Sequence, residues 1–213
     1  MALRRLLITG FPLFAGRPVN PTQQLLAAID HGQLRVPAGA LVRTALLPVE
    51  YERIGPVFDS QIAEFQPDLV LAFGVGHREE LLHLEQLAMN WSGAAIPDNA
   101  GVIRNGEPIL ASGPAYLQTS LPFAQIAQSL AQAGISVRLS TNAGQFLCNQ
   151  LLFHGLWRAG DQPRYRMGFV HVRPLDDSGG ELPVPWSTFQ HAIERLLELV
   201  VQAVERPQDE SLQ

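Results

Sequence analysis

The chain has 213 residues, 46% apolar and 16% charged, with a formal net charge of −5. That length suits one compact domain with a real core, and mild acidity without any Lys/Arg-rich block excludes nucleic acid and anionic membranes as main partners. No apolar run reaches the roughly 18–20 residues of a membrane span, and a single cysteine, Cys148, excludes an internal disulfide framework and a multi-cysteine metal site.

The opening MALRRLLITGF has too short an apolar stretch for a signal peptide and no small-residue cleavage site after it, so the expected compartment is the reducing cytoplasm. Leu6 to Thr9 reads as a buried strand ending at Gly10. Asn20, Pro21 and Gln23 form a helix start: Asn20 can cap, Pro21 suits the first helical position, and Gln23 can reach back. VRTALLPV (42–49) reads as a second strand. Tyr51 to Phe65 is helical in pattern, although Pro56 sits badly in its early turns. DLVLAFG (68–74) is a third strand, apolar almost throughout, as in a sheet covered on both faces. LHLEQLAMN (82–90) reads as one more strand.

Residues 92–113 form a long irregular stretch, of a kind that goes with function or mobility. PFAQIAQSLAQAG is a helix ending at Gly134. ISVRLS is a strand, the helix with the cysteine follows, and YRMGFVHV is the last strand. Ser187 with Gln190 suggests a capping box for a helix up to about Glu205. Residues 206–213 read as a loose polar tail. The alternation of strand and helix predicts an α/β fold, a three-layer α/β/α sandwich around a twisted, mostly parallel sheet, with residues 1–205 as one domain. Sites in such folds lie beyond the carboxyl ends of strands.

Cys148 follows the turn TNAG near a helix start. Free N–H groups and the positive end of the helix dipole there stabilise a thiolate, and the same N–H groups can hold an oxyanion. The other reading is a small buried apolar side chain. A nucleophilic thiol needs a base. His171 ends the run MGFVH at a strand's carboxyl end, and His77 after LVLAFG is the second candidate. His154, six residues after Cys148, points to another side of the helix. His31 and His191 belong to ordinary helix surroundings. Glu85 is a carboxylate within an apolar strand. It is either an edge residue facing water or the partner that orients His171, and spacing leaves both open.

These segments resemble the pyroglutamyl peptidase I (pyrrolidone-carboxylate peptidase) family. STNAGQFLCNQ (140–150) is similar to its cysteine signature, with Ala143, Gly144, Phe146, Leu147, Cys148 and Asn149 in the matching places. LHLEQLAMN resembles its glutamate strand, IPDNAG (96–101) the segment after it, GFVHVRPL (168–175) its histidine strand, and TGFPLFAG (9–16) with Asn20-Pro21 its N-terminal loop. The matches run in family order from about residue 6 to residue 174.

The resemblance implies a cysteine exopeptidase that removes an N-terminal pyroglutamyl (5-oxoproline) residue from peptides through a thioester. Cys148 would be the nucleophile, His171 the general base and then acid, and Glu85 the orienting carboxylate. Phe11 and Phe14 would hold the lactam ring, with Ile96, Phe146 and Leu147 at further pocket positions. The family implies homo-oligomers, often tetramers, and neither a cofactor nor a metal.

Three positions depart from the pattern: Pro12 replaces an Asp of the loop, Val75 a Gln after the third strand, and Ala95 an Arg before Ile-Pro-Asp-Asn. Arg78 and Arg104 are the cations available to compensate. Two other readings stay open: a catalytically weak relative that binds small cyclic amides, and a thiol hydrolase with a different amide substrate.

Overall fold

The computed structural model of the chain describes residues 3–14, 19–76, 80–160, 164–175 and 183–205. Eight strands occur among them: β1 Arg4–Gly10, β2 Ala40–Leu46, β3 Leu69–Val75, β4 Leu82–Glu85, β5 Leu87–Met89, β6 Tyr116–Gln118, β7 Val137–Ser140 and β8 Arg166–Val172. Five helices lie between and after them: α1 Pro21–Asp30, α2 Tyr51–Phe65, α3 Phe123–Gln132, α4 Leu147–Ala159 and α5 Trp186–Glu205.

Six strands form one sheet in the order β2-β1-β3-β8-β4-β7. β2, β1, β3 and β8 are parallel; β4 runs antiparallel to β8, and β7 runs parallel to β4. The strand period of two sends alternate side chains to opposite faces. Leu6, Ile8, Leu71, Phe73 and Val170 face α1, α3 and α5 in one buried cluster. Leu7, Val70, Ala72, Met167 and Phe169 face α2 and α4 in the other. The predicted three-layer sandwich is therefore present, and β3 is apolar throughout because helices cover both its faces. Each fully buried Leu, Ile or Phe contributes about 1.5–3 kcal/mol.

Helix α1 begins as expected. Pro21 is its first residue, and Asn20 Oδ1 accepts the Thr22 N–H at 2.9 Å. Gln23 does not close a box, since its Oε1 has no partner among the described residues. Helix α2 carries Pro56 inside it, and Glu50 supplies no side-chain cap. A distant carboxylate does that work: Asp98 Oδ2 accepts the Tyr51 N–H at 2.8 Å. Gly134, with φ of +75°, follows α3 as predicted. Ser187 is not a cap. Helix α5 already starts at Trp186, and Gln190 donates instead to the Gln33 carbonyl and to Glu194.

Residues 82–90 do not form one strand. The chain leaves the large sheet at Gln86, whose N–H bonds the Ser140 carbonyl at 2.7 Å and whose carbonyl accepts from Thr119 N–H at 2.9 Å. β5 then pairs antiparallel with β6 in a separate two-stranded sheet. β6 has three residues and no readable period, so nothing in the sequence marked it. The predicted second strand also ends early, at Leu46. His77, Arg78 and the tail 206–213 lie outside the described residues.

Candidate active site

Strands β1, β3 and β8 are parallel, and their carboxyl ends lie side by side. Gly74 of β3 stands in register with His171 of β8. The first turn of α4 comes down onto them. A Cβ added at Gly74 would lie 2.8 Å from Cys148 Sγ and 2.8 Å from Phe169 Cζ, so the sulfur rests directly on glycine backbone. The reversed direction of β4 explains how Glu85 arrives. Glu85 stands opposite Phe169, which puts it on the same face as His171 and diagonal to it. Glu85 Oε1 meets His171 Nδ1 at 2.7 Å.

Glu85 is 2% exposed and the His171 side chain 12%. Burial alone pulls the His171 pKa down. The negative charge and hydrogen bond of Cys148, and then those of Glu85, outweigh it and raise the pKa to about 9. Held between sulfur and carboxylate, the imidazole is favoured in its charged form. Cys148 is the second residue of α4, and Phe146 before it supplies no side-chain cap. The first helical bond is Gln150 N–H to the Phe146 carbonyl at 3.1 Å. The N–H groups of Leu147, Cys148 and Asn149 thus have no acceptor within the helix, and such groups suit an oxyanion.

Above this floor opens a cleft of about 500 Å³, and Phe11, Phe14, Ile96, Phe146, Leu147, Cys148 and His171 all line it. Glu85 sits behind His171, away from the opening. Phe14 lies on Phe146 with ring centroids 5.1 Å apart, and Tyr51 meets Phe146 edge-on at 5.5 Å. Ile96 is at the rim, 48% exposed. Sequence reasoning missed Val49, Asn142 and Gly144 as wall residues, and saw Asn20 only as a cap.

The capping network also holds the loop with the phenylalanines. Thr22 Oγ1 accepts the Phe11 N–H at 2.9 Å, and Asn20 Nδ2 donates to the Pro12 carbonyl at 2.7 Å. Asn142 Oδ1 accepts the Gly144 N–H at 3.0 Å, and Gly144 has φ of +83°, so the TNAG turn needs its glycine.

Of the departing positions, Val75 lines the cleft and Ala95 is exposed. Arg104 is occupied elsewhere: it pairs with Glu52 and Glu107 and covers the Tyr51 ring at 5.4 Å. His154 points away from Cys148, to Asp59 at 3.0 Å. Among the described residues, no group of three or more His, Cys, Asp or Glu side chains could hold a metal ion.

Residues 4–198 match the sequence model of a family described as pyroglutamyl peptidase. A pyrrolidone-carboxylate peptidase of Vibrio vulnificus is 31% identical over 207 residues, 97% of this chain and 96% of its own. One from Vibrio parahaemolyticus is 35% identical over 176 residues, 82% and 81%. Among solved structures, the pyrrolidone carboxyl peptidase of Thermococcus litoralis superposes with a TM-score of 0.86 at 27% identity, covering 95% of this chain and 96% of its own. Bacillus amyloliquefaciens pyroglutamyl peptidase I gives 0.80 at 26% identity, covering 93% and 97%.

Proposed function

The chain belongs to the pyroglutamyl peptidase family, and from that premise we propose that it removes an N-terminal pyroglutamyl residue from peptides, with Cys148 as nucleophile, His171 as acid and base, and Glu85 as orienting carboxylate. One observation supports this most: Glu85, His171 and Cys148 follow one another at the floor of an aromatic cleft. A flat, uncharged lactam suits the walls formed by Phe11, Phe14 and Phe146. Among the described residues, those lining the cleft include no carboxylate, and a blocked N-terminus has no ammonium to need one.

The thiolate of Cys148 attacks the carbonyl carbon that joins the ring residue to the peptide. A C–S bond forms, and the carbonyl oxygen becomes an oxyanion within reach of the first-turn N–H groups of α4. The oxyanion collapses, the C–N bond breaks, and the His171 proton passes to the leaving amine. Water then gives a proton to His171 and attacks the thioester. The C–S bond breaks, 5-oxoproline leaves, and the thiolate with its imidazolium is restored.

Release of a fluorescent amine from a pyroglutamyl amide, under reducing conditions, tests this. Turnover in wild type and none in Cys148→Ala is the expected result. A wild type without turnover overturns it and favours a binder of small cyclic amides, with apolar Val75 in the cleft wall as the first suspect. Residues 1–205 acting as one peptidase domain with a 206–213 tail, a cytoplasmic location and a homo-oligomer, a tetramer by family resemblance, belong to the same proposal. A monomer on a sizing column would sink the last of these. No helix among the described residues is long and apolar enough to cross a membrane.

A further inference from the structure

Asn149 follows Cys148 in the first turn of α4 and is completely buried. Its side-chain amide spends itself on backbone some 60 residues away. Oδ1 accepts the Met89 N–H at 2.8 Å, and Nδ2 donates to the Met89 carbonyl at 2.8 Å and the Trp91 carbonyl at 2.9 Å. Bonding both the N–H and the carbonyl of one residue is what a neighbouring strand does in a ladder. The other edge of β5 is taken by β6, with Asn90 N–H on the Ala115 carbonyl at 2.9 Å just beyond it. Asn149 therefore stands where β5 has no second strand.

The position of this joint matters. Met89 comes four residues after Glu85, and Asn149 comes one residue after Cys148. A second tie joins the same two segments, Gly93 N–H to the Gln145 carbonyl at 3.1 Å. We propose that Asn149 is a positioning residue for the reaction: as stand-in strand partner of β5, it sets the register of Cys148 against the His171–Glu85 pair. The proposal rests on the reading of Cys148 as nucleophile. An apolar side chain of equal size would fill the space but leave one N–H and two carbonyls, all part-buried, facing it without partners. The ring-binding wall of Phe11, Phe14 and Phe146 makes no bond to Asn149, so its loss acts on the chemical step and spares substrate binding.

Two measurements test this. In wild type, native-state hydrogen exchange reads the Met89 amide, whose acceptor is Asn149 Oδ1. Protection equal to that of the first hydrogen-bonded amides of α4 is expected, and exchange as fast as that of the exposed loop amides of Ala111 and Ser112 overturns the proposal. Asn149→Asp is isosteric and keeps the acceptor but loses both donors; Asn149→Ser removes most of the clamp. In folded variants, kcat on a pyroglutamyl amide should fall by about tenfold or more with KM within about twofold, and the pH profile of Cys148 alkylation by iodoacetamide should move. Unchanged kcat, or a raised KM at unchanged kcat, overturns it. Exchange and alkylation need no substrate, so a wild type without turnover would sink the peptidase reading while these still judge Asn149.

Discussion

At the scale of single residues, the site depends on charges that hold one another. Burial lowers the His171 pKa, while Cys148 and Glu85 raise it to about 9. Removing the sulfur removes the larger of the two supports, so in Cys148→Ala the His171 ring should titrate well below its wild-type value, as NMR of the imidazole protons would show. The sign also sets a pH limit. A pKa raised from about 6.5 means that the stabilising contribution of the imidazolium is complete below that value and is lost as pH rises through about 9. Activity should decline over the same alkaline range.

Gly74 is the second sensitive point at this scale. Gly74→Ala would press a methyl against Cys148 Sγ and Phe169. Activity should fall by about tenfold or more, from displacement of the sulfur alone, and a thermal melt would separate this from global unfolding. Much of this was legible in the sequence. One cysteine at a helix start, one histidine at a strand end and one carboxylate in an apolar strand are each unusual enough to notice. Asn149 was not, because its partners are backbone groups 60 positions away and an asparagine in a helix has no signature of its own.

At the scale of elements, the direction of β4 decides the outcome. Had it run parallel over the same four residues of β8, Glu85 would have stood opposite Val172 and faced away from His171. Direction was hidden because an apolar strand reads the same both ways. Gln86 gave no sign of a break either, since Leu87 and Met89 continue the apolar run of β4. The irregular stretch 92–113, by contrast, was visible from its Gly, Pro and Asn content.

What anchors that stretch is Asp98. One oxygen caps α2 through Tyr51, and the other accepts the N–H groups of Ala100 and Val102 at 2.9 and 2.8 Å. Burial opposes its charge, but these three N–H donors and nearby Arg104 hold its pKa below the usual carboxylate range. Asp98→Ala should cost about 0.5–2 kcal/mol as a lost cap. It should also raise KM, because Ile96 and the Tyr51–Phe146 contact are both fixed from this point. Chemical denaturation and steady-state kinetics on the same variant check the two effects together.

At the scale of the whole molecule, two cores face away from each other across the sheet, and Cys148 packs against the one under α2 and α4. The opposite core closes on α5. Glu194, 7% exposed, accepts the backbone N–H of Arg35 at 3.0 Å and its guanidinium at 2.9 and 3.1 Å. Burial disfavours the charge, yet the bonds from Arg35 and Gln190 win and lower the pKa. Such a group stabilises the fold above its unfolded pKa, and the contribution is lost as pH falls through the lower folded value. Glu194→Gln should therefore lower the melting temperature at neutral pH and flatten the loss of stability in acid, with little change in kcat/KM. The fold class itself was legible from the alternation of elements, because helices on both faces leave strands such as β3 no polar side to show.

The burial of Glu85 beneath His171 has one more consequence, for the order of events. With a dry carboxylate under the imidazole, water and leaving amine meet the sulfur through the cleft that the described residues line. On the proposed thioester route, the shed peptide has to depart before water can take its place at the acylated sulfur. On that route 5-oxoproline would be the last product out, and it should compete directly with incoming peptide for the empty site. An enzyme working this way should be slowed by the small acid it makes far more than by the peptide it unblocks, as product-inhibition kinetics would show.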